Sequence, residues 1–164
     1  LDAVIRPTIA DDSEILVEFA AATGVFKPHE IKALGEVLYD YFDFERDMND
    51  HRCATIVDDD GPAGFVYFAQ DTMTFGTWDM WWIVVDPKKH GRGLGRRLVD
   101  HCETEIRSAG GRILFIDTSS LPEYEPTRKF YESLGYEPHA VLCDYFSDGD
   151  SKVIFRKRLA QVKM

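Results

Sequence analysis

Apolar residues recur along this chain with two different periods, and each change of period marks a change of element. Val4–Arg6 alternates as a short strand. Asp11, Asp12 and Ser13 offer side-chain oxygens to the free amides of a helix start, and Ile15, Leu16 and Phe19 share one side of a helix running through Ala22. Pro28 opens a second helix, because its fixed φ and missing N–H suit a first turn; Ile31, Leu34 and Leu38 follow at helical spacing. That helix runs into an aromatic and acidic stretch where Tyr39, Tyr41, Phe42 and Phe44 interleave with Asp40, Asp43, Glu45 and Asp47. Cys53–Val57 and Gly64–Ala69 flank the turn Asp58-Asp59-Asp60-Gly61-Pro62 and read as a β-hairpin. Thr77–Val85 is a strand halted by Asp86-Pro87. Leu94, Leu98, Cys102 and Ile106 recur every four residues, so a helix extends to about Ser108, where Gly110-Gly111 ends it. Ile113–Ile116 reads as a buried strand, Thr127–Leu134 as a short helix closed by Gly135, and Ala140–Cys143 and Val153–Arg156 as two last strands. The order β-α-α-β-β-β-α-β-α-β-β predicts a mixed α/β fold with a meander at its centre.

The 164 residues suit one domain spanning 1–164, and no repeat, low-complexity tract or linker divides them. The longest apolar run, Met80–Val85, is strand-sized and far short of a membrane span, and no leader pattern is visible, so a cytoplasmic protein without a membrane partner is expected. Cys53, Cys102 and Cys143 are odd in number and in no C-x-x-C pair, which disfavours a disulfide framework and a zinc ribbon and favours reduced thiols. His29, His51, His101 and His139 show no metal spacing, and no metal is expected. A net charge of −10 argues against nucleic acid as the main partner.

The charge is uneven. Residues 1–82 carry 17 acidic and 5 basic side chains, whereas residues 83–164 carry 12 and 14. Lys88, Lys89, Arg92, Arg96 and Arg97 fall close together with no acid among them. They are either a solvated basic face or a site for an anionic ligand on an otherwise acidic protein.

Those bases surround the segment richest in chemistry, Val84-Val85-Asp86-Pro87-Lys88-Lys89-His90-Gly91-Arg92-Gly93-Leu94-Gly95. A strand ends, and a helix begins amid three glycines at alternate positions. Such glycines turn backbone N–H groups inward and keep Cβ atoms out of a ligand's way. With the helix N-terminus they make a cradle for pyrophosphate, to which Lys89, Arg92 and Arg96 add charge. A Walker loop would need Gly-Lys-Ser/Thr where Gly95-Arg96-Arg97 stands. A dinucleotide loop would need a third glycine where Arg96 stands.

The pattern [Gln/Arg]-x-x-Gly-x-[Gly/Ala] between strand and helix resembles the acetyl-CoA loop of the GNAT superfamily, the Gcn5-related N-acetyltransferases, with His90 in the position usually held by Gln or Arg. A second motif, Thr127-Arg128-Lys129-Phe130-Tyr131-Glu132-Ser133-Leu134-Gly135-Tyr136, is similar to that family's A-x-x-F/L-Y-x-x-x-G-F helix. The resemblance covers roughly Ala63–Arg158. It implies a mostly antiparallel central sheet flanked by helices, the acyl-CoA N-acyltransferase fold, and acetyl-CoA as co-substrate. It implies that Gly91, Arg92, Gly93, Leu94, Gly95 and Arg96, with His90, hold the pyrophosphate, and that Ile83, Val84 and Val85 pair with the pantetheine arm like another strand. It further implies that Tyr131 protonates the departing thiolate; a phenol of pKa ~10 donates usefully to a thiol of pKa ~8.5. Phe130 and Tyr136 are read as core.

The amine must lose a proton before it attacks. Asp79 resembles the carboxylate position of histone-type members and Asp117 that of ribosomal-protein N-terminal acetyltransferases. Asp79 is read either as a base acting through water, its pKa lifted by burial beside Trp81 and Trp82, or as a solvent-facing edge residue. The asparagine that commonly follows the β-strand and binds pantetheine is absent, and Ser119, Ser120 and Tyr124 are the candidates to replace it. Tyr145 resembles a tyrosine of the hairpin that covers the acceptor in N-terminal acetyltransferases, or is a turn aromatic.

The resulting expectation is transfer of an acetyl group from acetyl-CoA to a primary amine by direct attack in a ternary complex. The acceptor is a small molecule or a peptide N-terminus, and a cationic one (polyamine, basic amino acid, aminoglycoside, basic terminus) would suit the acidic half unless that acidity serves solubility alone. A non-catalytic acyl-CoA-binding or regulatory domain is the alternative, and nucleotide binding on the same turn a weaker one. Trp78, Trp81 and Trp82 are open between pocket, core and the face of a homodimer.

Overall fold

Alternation in the two segments flanking the acidic turn is realised as a hairpin longer than the sequence suggests, β2 (His51–Asp58) and β3 (Gly61–Gln70), in a computed structural model that describes residues 2–44 and 50–160. Glu45 and Asp47 of the acidic stretch lie outside the described residues. The remaining strands are β1 (Val4–Pro7), β4 (Thr77–Val85), β5 (Ile113–Ser119), β6 (Glu137–Ser147) and β7 (Asp150–Arg158). The helices are α1 (Ser13–Ala22), α2 (Pro28–Asp43), α3 (Leu94–Ser108) and α4 (Glu125–Ser133). The strands form one sheet in the order β1-β2-β3-β4-β5-β7-β6, in which β4 and β5 run parallel and the other neighbours antiparallel. Mixed α/β architecture with a central meander is what the element order predicts.

The start of α1 departs from the expectation. Asp12 does not cap it; a single 3₁₀ turn, Ala10–Asp12, intervenes. The buried Asp12 carboxylate instead accepts from the Arg6 guanidinium at 2.7 and 2.9 Å and from the Ile9 amide at 3.0 Å. A buried carboxylate needs such partners, and Arg6 on the adjacent strand outbids the helix amides.

Period-two alternation splits the core into two layers. On one face of the sheet α3 and α4 cover Val66, Phe68, Trp78, Met80, Leu114, Ile116 and Phe155 with Leu98, Cys102, Ile106 and Tyr131. On the other, Leu16 and Phe19 of α1 and Leu34, Leu38 and Tyr41 of α2 pack on Phe65, Tyr67 and Val84. Leu34 and Leu98, both wholly buried, each contribute about 1.5–3 kcal/mol by leaving water.

Two irregularities in β4 matter for function. Tyr67 pairs with Trp82 and Phe68 with Met80, so Trp81 is an extra residue, a β-bulge. The bulge breaks the alternation and brings Asp79, Trp81 and Trp82 to the same cleft. Pairing with β5 runs only from Thr77–Ile113 to Met80–Ile116. Both strands continue beyond that point without each other, and a slot opens between them.

Candidate functional site

Past the parting of β4 from β5 the chain turns through the glycine-rich segment. Past the end of β4, Gly91 and Gly93 take φ of +78° and +75°, conformations that cost a side-chain-bearing residue, and a Cβ at either would meet nothing within 4 Å. The amides of residues 91–96 donate to no group among the described residues; the first capture at this helix start is by the Arg97 amide, on the Gly93 carbonyl at 3.2 Å. Six unpaired N–H groups thus crowd the positive end of a fifteen-residue helix, the arrangement that binds phosphate oxygens. Gly95 has a different reason: a Cβ there would lie 3.3 Å from the Phe130 ring, so its smallness lets α4 approach α3. The Leu94 side chain is buried in the core, leaving only its amide to the cradle.

The basic side chains around the cradle are less free than their sequence suggests. Lys89 donates to both oxygens of Asp58 at 2.7 and 2.9 Å, and Arg92 reaches the same carboxylate at 3.3 Å. Hydrogen bonding from Lys89 holds the Asp58 pKa below its ordinary value. Arg97 donates to the Ala3 carbonyl. Arg96 and Lys88 are exposed with no ion pair among the described residues, and they are the uncommitted cations of this turn. The exposed His90 ring turns back to the Val85 carbonyl at 3.0 Å, so this side chain fastens the turn to its own strand.

From the cradle the free edge of β4 leads inward. The Asp86 amide donates to Ala63 on β3, and peptide groups alternate sides along a strand, so Ile83 and Val85 turn theirs away from β3, with the Val85 carbonyl taken by His90, and Val84 turns its own to β3. Of the three residues expected to pair with an extended ligand, Val84 faces β3: its side chain is buried, and its carbonyl lies 2.6 Å from where a Gly64 Cβ would stand. Tyr124, in the turn that precedes α4, has a protein partner. Its hydroxyl donates to the Val25 carbonyl at 3.0 Å, tying the loop between α1 and α2 to the end of β5, and burial lifts its pKa to about 12. Ser119 bonds Asp150, and the Ser120 hydroxyl accepts from the Ser151 amide at 2.8 Å, so all three candidates for the missing asparagine have structural partners.

Where β4 and β5 part, two carboxylates from adjacent strands share a cleft, and a tyrosine of α4 lies within reach of the charge of one of them. Tyr131 of α4 is 4% exposed, packed among Phe130, Tyr136 and Phe155, and its hydroxyl has no hydrogen-bond partner among the described residues. Burial, and then the charge of Asp117, push its pKa up, so it holds its proton firmly. Asp79 and Asp117 stand on the opposite face in a cleft of about 340 Å³ shared with Met80, Trp81, Trp82 and Phe115. Asp79 is half-buried, and that burial, followed by the charges of Asp117 and Asp71, raises its pKa; Lys152 opposes the rise. The Asp79 side chain makes no hydrogen bond or ion pair among the described residues, whereas Asp117 is bound by Lys152 at 2.7 Å.

Lys152 escaped notice in the sequence because it lies in a β-strand, thirty-five residues from its partner. Its one legible signal was alternation along β7, which places it opposite Val153. The Phe26 ring lies 5.4 Å from Trp82 and roofs this region, and Trp81 lies 5.4 Å from Tyr67 and 4.9 Å from His51. Trp78 is core, so the three tryptophans divide between core and cleft. Tyr136 is core, bonded to Glu103 at 2.8 Å. The aromatic and acidic part of α2 does not line this cleft: Tyr41 is buried against Tyr67, and Tyr39, Phe42 and Asp43 border a separate groove. Among the described residues no three His, Cys, Asp or Glu side chains converge on a metal position.

Comparison with known proteins bears on the same region. The model of the acetyltransferase (GNAT) domain matches residues 49–138. A GNAT-family protein from Desulfovibrio desulfuricans superposes with a TM-score of 0.91 at 31% identity, over 97% of this chain and all of that one. An aminoglycoside 6'-N-acetyltransferase complexed with coenzyme A gives a TM-score of 0.77 at 20% identity, over 98% and 99% of the two chains, a likeness of fold. An uncharacterized N-acetyltransferase of Bacillus subtilis, YsnE, is 30% identical over 66 residues, which is 40% of this chain and 44% of that protein. The chain thus spans less than half the length of the curated relative it matches.

Proposed function

We propose that this chain, which belongs to the GNAT acetyltransferase family, transfers the acetyl group of acetyl-CoA to the primary amine of a small molecule by direct attack in a ternary complex. One observation carries the reading: the six unpaired amides at 91–96 follow directly on β4, the strand that carries Ile83 and Val85 past its last pairing with β5 and whose Asp79 shares a cleft with Asp117. The residues present fit coenzyme A, since the glycines leave the cradle open and the edge groups offer an extended chain a strand partner.

When bound, acetyl-CoA supplies a thioester whose C–S bond breaks as the new C–N bond forms. Residues 91–96 bind the diphosphate through backbone N–H groups, and Arg96 adds the charge that Lys89 and Arg92 share with Asp58. Ile83 and Val85 orient the arm. Asp79, with its raised pKa and no ion pair, is the carboxylate placed to receive the amine as an ammonium and to draw off its proton through water. Asp117, neutralised by Lys152, sets the field at Asp79 and Tyr131. Tyr131 keeps its proton at neutral pH and has no competing acceptor, so its hydroxyl is free to donate to the departing sulfur. An acceptor that arrives positively charged suits the cleft and the acidic half of the chain.

The test is an amine panel with acetyl-CoA, followed by continuous release of coenzyme A thiol and by mass spectrometry of the products. Sustained thiol release with an acetylated amine is expected. Binding of coenzyme A without turnover of any amine would identify a non-catalytic acyl-CoA-binding domain instead.

A further inference from the structure

Lys152 presents an ammonium group to Asp117, one of the two carboxylates that line the cleft. Its Nζ lies 2.7 Å from Asp117 Oδ2 and 4.2 Å from the centre of the Tyr145 ring, a carboxylate on one side and an aromatic face on the other. Those are the two kinds of group that recognise an alkylammonium ion. The Lys152 side chain is 18% exposed against 39% for Asp117, so the cation is the more enclosed partner. Tyr145 is held in place edge-on by Phe146, at 5.1 Å. Burial works against the charge on Lys152, but the hydrogen bond and charge of Asp117, with a further contribution from the Tyr145 hydroxyl, outweigh it and raise its pKa.

We infer that Lys152 sets the charge of the acceptor: by occupying the seat between Asp117 and Tyr145 it leaves Asp79 as the one open carboxylate of the cleft, and so selects amines carrying a single positive charge over diamines and polyamines. The inference rests on the transferase reading above and narrows it. A monoamine places its ammonium at Asp79. The second ammonium of a diamine meets Lys152, a like charge in a partly dehydrated cleft, where repulsion is poorly screened. Asp71, the other acid felt by Asp79, accepts the Met73 amide at 2.9 Å in an exposed loop, where water screens its charge. Tyr145, left open in the sequence between a cover for the acceptor and a turn aromatic, thereby acquires a role on β6 as the wall of the lysine's seat.

The experiment compares butylamine with putrescine and pentylamine with cadaverine, pairs that differ by one terminal amine. In the wild type kcat/KM is expected to favour the monoamine of each pair by roughly tenfold or more. Lys152→Met keeps the length of the side chain and removes its charge; it is expected to shift that ratio toward the diamine by roughly tenfold or more, chiefly through KM of the diamine. Lys152→Arg retains the charge and the wild-type preference. A ratio unmoved in Lys152→Met, or a wild type that prefers the diamine, overturns the inference and leaves the transferase reading standing; the second result decides the matter even if the Met variant does not fold. Turnover of none of these four amines by a protein that acetylates others overturns the inference alone; acetyl-CoA bound with no amine of the wider panel acetylated overturns the transferase reading and this inference with it.

Discussion

Asp79 and Asp117 lie on adjacent parallel strands on the same face of the sheet, on either side of the point where β4 and β5 part. Asp79 pairs in register with Phe115, so Asp117 is two residues further along, just past the last paired position. That offset puts the two carboxylates in one cleft and makes their charges interact.

The first prediction follows from the raised pKa of Asp79, whose first cause is burial. A carboxyl that is harder to ionise in the folded state costs stability once the pH rises above its unfolded pKa, and costs nothing below it. Asp79→Asn is therefore expected to raise Tm at neutral pH, with the gain vanishing below the ordinary carboxylate range, while kcat falls by roughly tenfold or more. Thermal denaturation across pH, alongside the kcat profile, checks both; a variant with lower Tm and full activity would remove Asp79 from the proposed mechanism.

Tyr131 carries the second. Its side chain is buried but its hydroxyl has no hydrogen-bond partner among the described residues, so Tyr131→Phe sacrifices no protein hydrogen bond and is expected to leave Tm nearly unchanged. The same change is expected to lower kcat by roughly tenfold or more and to leave coenzyme A affinity nearly unaltered. Steady-state kinetics with calorimetry of coenzyme A separates the two effects, and unchanged kcat would end the acid role.

The third compares two glycines at opposite ends of α3. Gly93 and Gly110 have φ of +75° and +79°, and neither has a neighbour within 4 Å of a built Cβ. Gly93→Glu and Gly110→Glu are expected to cost similar backbone strain, on the order of 1–2 kcal/mol. Only the first brings a side chain and a negative charge to the cradle, so only the first should abolish coenzyme A binding in calorimetry. Equal binding by both variants would place the diphosphate elsewhere.

A fourth concerns Asp58, the carboxylate that draws Lys89 and Arg92 together at the cradle. Asp58→Asn is expected to tighten coenzyme A binding about threefold or more and to steepen its decline with salt, because two cations are released toward an anionic ligand. Titrations at low and high ionic strength test it, and weaker binding would show that Asp58 serves the cradle by positioning these cations.

Chain periodicity alone determined the elements and their order, because burial on a sheet face or helix stripe imposes periods that apolar side chains cannot hide: Leu94, Leu98, Cys102 and Ile106 mark α3, and Thr77–Val85 is bounded as observed. The glycine turn and the Tyr131 helix were legible for a related reason, since both depend on local backbone conformation and short spacing. Tertiary structure decided what depends on distance across the sheet. Whether Lys89 was free for a ligand depended on Asp58, thirty-one residues away. Tyr124 had a partner in a loop ninety-nine residues before it, and Asp117 was neutralised by Lys152 from another strand. Even β4 hid its bulge at Trp81, because that extra residue exists only relative to the register of β3. Local sequence encodes local conformation, whereas ion pairing, strand register and the parting of β4 from β5 are set by neighbours that only folding brings together.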